Sequence, residues 1–144
     1  MNKVLIGIDP DVKLSGIAIC TEFKSLYLKN LTFFELFEEL TKFKRHNYLS
    51  VEIYIEAGWL NKSNWHKVIN GSSNINAQIG QRTGANHETG KKIVEMCEYL
   101  GLKYNLIKPT KTKVDAITFN KVTNYKGRTN QEQRDAAMLV VGRI

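Results

Sequence analysis

The most constraining stretch of this chain is its opening. Val4-Leu5-Ile6-Gly7-Ile8 runs without a polar side chain into Asp9-Pro10, and Ser15-Gly16-Ile17-Ala18-Ile19-Cys20 renews the apolar run after a short turn holding Asp11 and Lys13. Two β-branched runs joined by a polar turn predict a hairpin of buried strands, with Gly16 permitting a tight approach or twist. Asp9 is the exception in this pattern. A carboxylate ending an apolar strand costs free energy unless it is paired or coordinates a cation. The same motif of an acid set on apolar structure recurs in Ile53-Tyr54-Ile55-Glu56 and in Arg134-Asp135-Ala136-Ala137.

The remaining periodicities supply the scaffold. A third strand is expected over 24–29, then a helix from Thr32 to Lys44 opened by a Thr32–Glu35 capping box. Phe33, Leu36, Phe37, Leu40 and Phe43 form its apolar stripe, read as core. A fourth strand covers 51–56. The stretch 58–73 reads as a polar loop with Trp59, Trp65 and His66; the last two are assigned to packing. Residues 74–100 have helical spacing interrupted by Gly80, Gly84 and Gly90, compatible with one broken helix or two. A fifth strand over 102–107 ends at Pro109, followed by helices over 112–122 and 130–141 and a basic loop over 124–128 between them. Three strands followed by alternating helices and strands predict an α/β protein: one domain, 1–144, with a mixed five-stranded sheet flanked by helices and its first three strands antiparallel.

Composition narrows the class. Hydrophobic residues at 42% and charged ones at 24% describe an ordinary folded domain rather than a disordered or membrane chain. No membrane span and no signal-peptide pattern is visible, so a cytoplasmic location is expected, with Cys20 and Cys97 as buried thiols. The net charge of +7 points toward a polyanion, and much of the basic excess falls in the second half of the chain. Lys91, Lys92, Lys111, Lys113, Lys126 and Arg128 are candidates to follow phosphates. If about five do so, log K falls with log[salt] at a slope of about −4 to −5.

Phosphodiester cleavage by two metal ions needs hard oxygen donors on rigid elements. Asp9 and Glu56 at strand ends and Asp135 one turn into a helix meet that need if the first and fourth strands are neighbours. Each acid also has a plainer reading. Asp9 can accept hydrogen bonds from its own turn, Glu56 can pair with a surface lysine, and Asp135 can simply favour the helix dipole. Glu132 stays open between two roles: metal ligand on the face of Asp135, or partner of Thr129 in a capping box. Trp59 stacks on an exposed base or folds back over apolar surface, and His87 is read as solvated, with DNA contact the minority option.

Gly7-Ile8-Asp9-Pro10, Ser15-Gly16-Ile17-Ala18, Ile55-Glu56, Gly80-Gln81-x-x-Gly84, Pro109 with Lys111 and Lys113, and Glu132-x-x-Asp135-Ala136-Ala137 together resemble the RuvC-type Holliday junction resolvases of the RNase H-like nuclease superfamily. The resemblance covers nearly the whole chain and is nearest to compact phage-like versions. It implies a homodimeric endonuclease, dependent on magnesium or manganese and using two ions, that nicks branched DNA symmetrically. On this resemblance Asp9, Glu56, Glu132 and Asp135 are catalytic metal ligands, and Trp59, Lys91, Lys111, Lys113 and Arg128 contact DNA. Asp11 stands where the family usually has glycine. The alternative is a YqgF-like or RNase H-like nuclease acting on RNA or an RNA–DNA hybrid, while a non-catalytic binding module would require one of the acids to be missing. Converging carboxylates repel without a cation, so magnesium is expected to raise the melting temperature, as is Asp135→Asn in EDTA.

Overall fold

A computed structural model describes residues 2–61 and 73–144. In chain order the elements are β1 (Asn2–Asp9), β2 (Ser15–Thr21), β3 (Leu26–Leu31), α1 (Phe33–Arg45), β4 (Leu49–Glu56), a 3-10 turn (Gly58–Leu60), α2 (Ser73–Leu100), β5 (Lys103–Ile107), α3 (Ala116–Thr123) and α4 (Gln131–Met138). Trp65 and His66 lie outside the described residues.

The strands form one mixed sheet in the order β3-β2-β1-β4-β5. β1 pairs antiparallel with β2, and β2 with β3; β1 and β4, and β4 and β5, run parallel. The α/β architecture predicted from the sequence is therefore the one observed. Alternation along the central strands sends side chains to two different layers. Val4, Ile6, Ile8, Ile17, Ile19, Ile53 and Ile55 pack with Leu36 and Leu40 of α1 and Ile93, Met96 and Cys97 of α2. Leu5, Ala18 and Cys20 pack on the opposite face with Phe119 of α3 and Ala136, Ala137, Leu139 and Val140 beside them. Cys20 and Cys97 are both buried and free.

Local chemistry explains the element ends. Thr32 caps α1: its hydroxyl accepts from Glu35 N at 3.2 Å, and the Glu35 carboxylate accepts from Thr32 N at 2.9 Å. α2 is a single uninterrupted helix despite its glycines. Among the described residues nothing lies within 4 Å of a side chain added at Gly80 or Gly84, so there they carry the propensity cost of about 1 kcal/mol each. Gly90 is buried against the Trp59 ring, leaving no room for a methyl group.

Two helix starts differ from expectation. α3 begins at Ala116 rather than Thr112, because the Asp115 carboxylate caps it by accepting from Thr118 N at 2.7 Å. That leaves 112–115 as an irregular segment. α4 is capped by Asn130 with Gln133, one position later than the expected Thr129–Glu132 pair. The Asn130 and Gln133 side-chain amides also donate to Asn30 Oδ1 at 2.7 and 2.8 Å, so this cap is docked on β3 as well as closed on itself. The helix proper ends at Met138, short of the expected Val141. Among the described residues no helix is long and apolar enough to cross a membrane.

Candidate metal centre

Register and alternation bring the first two acids together. Ile8 of β1 is opposite Ile55 of β4, so Asp9 and Glu56 follow at adjacent strand ends. Both are displaced by an even number of residues from Leu5 and Tyr54, which face the α4 layer, and so lie on that side of the sheet. The third acid arrives through glycine. A methyl group at Gly7 would overlap the Ala136 carbonyl, and one at Gly16 would overlap the Glu132 carbonyl. With hydrogen in those two places, the backbone of α4 sits directly on β1 and β2, and Asp135 reaches the strand ends.

Asp9, Glu56 and Asp135 each offer a carboxylate oxygen, and these atoms lie within 4.8 Å of one another. The side chains of Glu56 and Asp135 are only 13% and 12% exposed. Asp135 is held from two sides, accepting from Gln131 Nε2 at 2.8 Å and from Lys113 Nζ at 2.9 Å. The same ammonium lies 3.9 Å from Glu56 Oε1.

Such crowding leaves its mark on protonation. Burial, then a carboxyl–carboxyl hydrogen bond and repulsion with Glu56, and the charge of Asp135 push the Asp9 pKa up to about 10, with Lys113 pulling the other way. Burial acts to lower the Lys113 pKa, but its hydrogen bond to Asp135 and the surrounding carboxylates outweigh that and hold it above the ordinary lysine value. Glu52, farther back on β4, shows the contrast. It accepts from Asn105 Nδ2 at 2.9 Å and the Tyr54 hydroxyl at 3.2 Å, has Lys103 at 3.6 Å, and its pKa is lowered, first by the Asn105 bond. Glu52 is satisfied by donors; Asp9 is surrounded by acids.

Two clefts open on the centre. One, of about 200 Å³, is lined by Asp9, Glu56, Trp59, Thr83, Asn86 and His87, among others. The other, of about 350 Å³, is lined by Glu56, Lys108, Lys113, Asp135 and Arg143, among others. Trp59 is half-buried, its ring edge-on to His87 at 6.4 Å between centroids. It packs on Gly90, the second of the two readings given for it, and also lines the first cleft.

The remaining candidates divide. Glu132 is not part of the three-acid group, nor is it the helix cap; its backbone covers Gly16 and its side chain is half-buried on α4. Lys113 is drawn into the acids rather than standing apart from them. Lys91 is exposed on α2 in an ion pair of 3.4 Å with Glu88, and Lys111 and Arg128 are exposed on the loops after β5 and before α4.

Gln131, Arg134 and Asn86 have no role assigned from the sequence, yet they shape the surroundings of the acids. Gln131 steadies Asp135 from four residues earlier, a spacing visible on any helical projection. Arg134 ties down the segment before α3: Nε donates to Val114 O at 2.9 Å, Nη1 to Thr129 O at 3.0 Å and Nη2 to Gln131 Oε1 at 3.0 Å. Asn86 Oδ1 accepts from Val12 N at 2.8 Å, fastening the β1–β2 turn to α2. Asp11 organises that turn from within, accepting from Lys13 N and Leu14 N.

No protein-family model and no curated protein sequence matches this chain. Its fold nonetheless has solved counterparts. RuvC of Thermus thermophilus in complex with a Holliday junction substrate aligns with a TM-score of 0.51 and 11% identity, over 95% of this chain and 89% of that one. A second structure of Thermus thermophilus RuvC aligns with a TM-score of 0.50 and 11% identity, over 94% and 90%. At that identity the likeness is one of fold, and at the level of fold the resemblance to RuvC holds.

Proposed function

We propose that this protein is a metal-dependent endonuclease that hydrolyses phosphodiester bonds in branched DNA, in the manner of a Holliday junction resolvase. The observation that carries the reading is the convergence of Asp9, Glu56 and Asp135, from two strands and a helix remote in sequence, on one partly buried point. Two clefts open on that point, on a chain of net charge +7. A RuvC bound to a Holliday junction shares the fold.

The donor set suits a hard divalent cation: three carboxylates close enough to share one, with Asp9 desolvated by burial and crowded by Glu56 and Asp135. Asp9, Glu56 and Asp135 would hold magnesium or manganese, with Glu132 as a further acid on α4, and two ions are expected. Bound there, the metal supplies Lewis-acid activation of water and of the scissile phosphate.

The chain's own part is placement. Strand ends and a glycine-seated helix fix the acids with little freedom, which is what in-line attack on a phosphodiester requires. Trp59 and His87 offer aromatic surface to an unstacked base on one side of the acids. Lys108, Lys113 and Arg143 line the other side, where a phosphodiester backbone would pass. Lys91, Lys111 and Arg128 extend that contact over the exposed surface. Symmetric nicking requires two such centres, hence a homodimer.

Labelled four-way junction, flap, linear duplex and RNA–DNA hybrid, each incubated with magnesium and with EDTA, test the proposal. Magnesium-dependent conversion of the junction to nicked duplexes is expected. Preferential cleavage of hybrid or structured RNA would favour the RNA-directed alternative. Failure to cut any of them with magnesium or manganese would refute the nuclease reading.

A further inference from the structure

We propose that Lys113 is a tethered cation, its ammonium holding a cation position among the acids until a divalent ion displaces it. This rests on the metal-centre reading above. The ammonium is 2.9 Å from Asp135 Oδ2 and 3.9 Å from Glu56 Oε1, so it bridges two of the three candidate ligands. A divalent ion cannot occupy the same space or tolerate so close a like charge.

The surroundings permit the exchange. Arg134 pins the backbone next to Lys113 by donating to Val114 O, while the Lys113 side chain is 47% exposed. A long side chain on a fixed root can leave for solvent with no backbone rearrangement. Asp135 does not depend on the lysine for its position, because Gln131 Nε2 holds its other oxygen at 2.8 Å. The acid site therefore persists once the ammonium has gone. Lys113 also lines the cleft that contains Lys108 and Arg143, so displacement moves it along the wall where a phosphate would lie. Metal loading and phosphate binding are then coupled through one side chain, each favouring the other.

Manganese binding to the protein alone, followed by the electron paramagnetic resonance of free Mn²⁺, tests this without any cleavage. Lys113→Gln is expected to bind the first ion about tenfold more tightly than wild type, or more, with one nearby like charge removed. Lys113→Arg keeps the charge and is expected to bind as weakly as wild type. Equal or weaker binding by the Gln variant would overturn the proposal, as would equal tightening by the Arg variant, since charge would then not be the cause. Absence of binding in wild type and in Lys113→Gln alike would overturn the metal centre itself, a distinct result. A measurement on unaltered protein guards against misfolding of a variant. In EDTA the Lys113 ammonium is expected to give an exchange-protected ¹⁵N resonance that is lost as magnesium is added. Persistence of that signal at saturating magnesium would contradict displacement.

Discussion

The two faces of the sheet are built on opposite principles. Toward α1 and α2, isoleucine after isoleucine from β1, β2 and β4 meets leucine, methionine and cysteine side chains. Toward α4, Gly7 and Gly16 meet the carbonyls of Ala136 and Glu132 directly, while Leu5, Phe119, Leu139 and Val140 fill the layer around those contacts. The first face is thick and hydrophobic, and supplies much of the free energy of folding. The second is thin at its two glycines, and their role is distance: they bring one helix close enough for Asp135 to join Asp9 and Glu56. A thick layer distributes a small change among many contacts, whereas a backbone-to-backbone contact has no side chain to yield. Substitutions on the two faces should therefore separate stability from activity.

The largest effect belongs to the acids. Asp9→Asn or Asp135→Asn is expected to lower the junction-cleavage rate by about a thousandfold or more while DNA binding is retained, checked by single-turnover cleavage beside a mobility-shift titration. Next is Gly7→Ala, whose methyl group must lift α4 off the sheet. A displacement of about 1 Å at the centre predicts a loss of about a hundredfold in cleavage, with weakened manganese binding and a folded far-ultraviolet spectrum.

Third comes the response to pH without metal. Asp9 has a pKa of about 10 in the folded chain against 3.8 for the unperturbed group, so folding requires it to take up a proton at neutral pH. Its contribution to stability is intact below pH 3.8 and is progressively lost as pH rises through the window to about 10. Asp9→Asn removes this loss. In EDTA its melting temperature should equal that of wild type near pH 4 and exceed it by several degrees at pH 8, and magnesium should raise only the wild type. The smallest effect falls on the thick face. Ile53→Val should cost about 1 kcal/mol, or about 2–4 °C in melting temperature, and leave the cleavage rate within about twofold. A large activity loss there would erase the distinction between the faces.

Much of this arrangement is legible in the amino-acid sequence. Asp9 and Glu56 stand out because each ends an apolar strand, and the two ends meet once the first and fourth strands are neighbours. The Thr32–Glu35 capping box needed only four consecutive residues and was found where expected. What escaped depended on distant partners. Gly7 reads as one more residue of an apolar strand until α4 is seen against it. Lys113 counts as basic surface until the chain folds its ammonium onto acids 22 residues away, at Asp135, and farther still, at Glu56. The capping boxes at the start of α4 compete at neighbouring registers, Thr129–Glu132 against Asn130–Gln133. Docking of Asn130 and Gln133 onto Asn30 of β3 accompanies the second choice, and no local rule contains that contact.

Crystals soaked in manganese, with anomalous diffraction recorded at the metal edge, address the convergence of the acids most directly. The expected result is anomalous density at coordination distance, about 2.0–2.6 Å, from carboxylate oxygens of Asp9, Glu56 and Asp135 together. Density bound to surface acids only, or none near these three under saturating manganese, would contradict it.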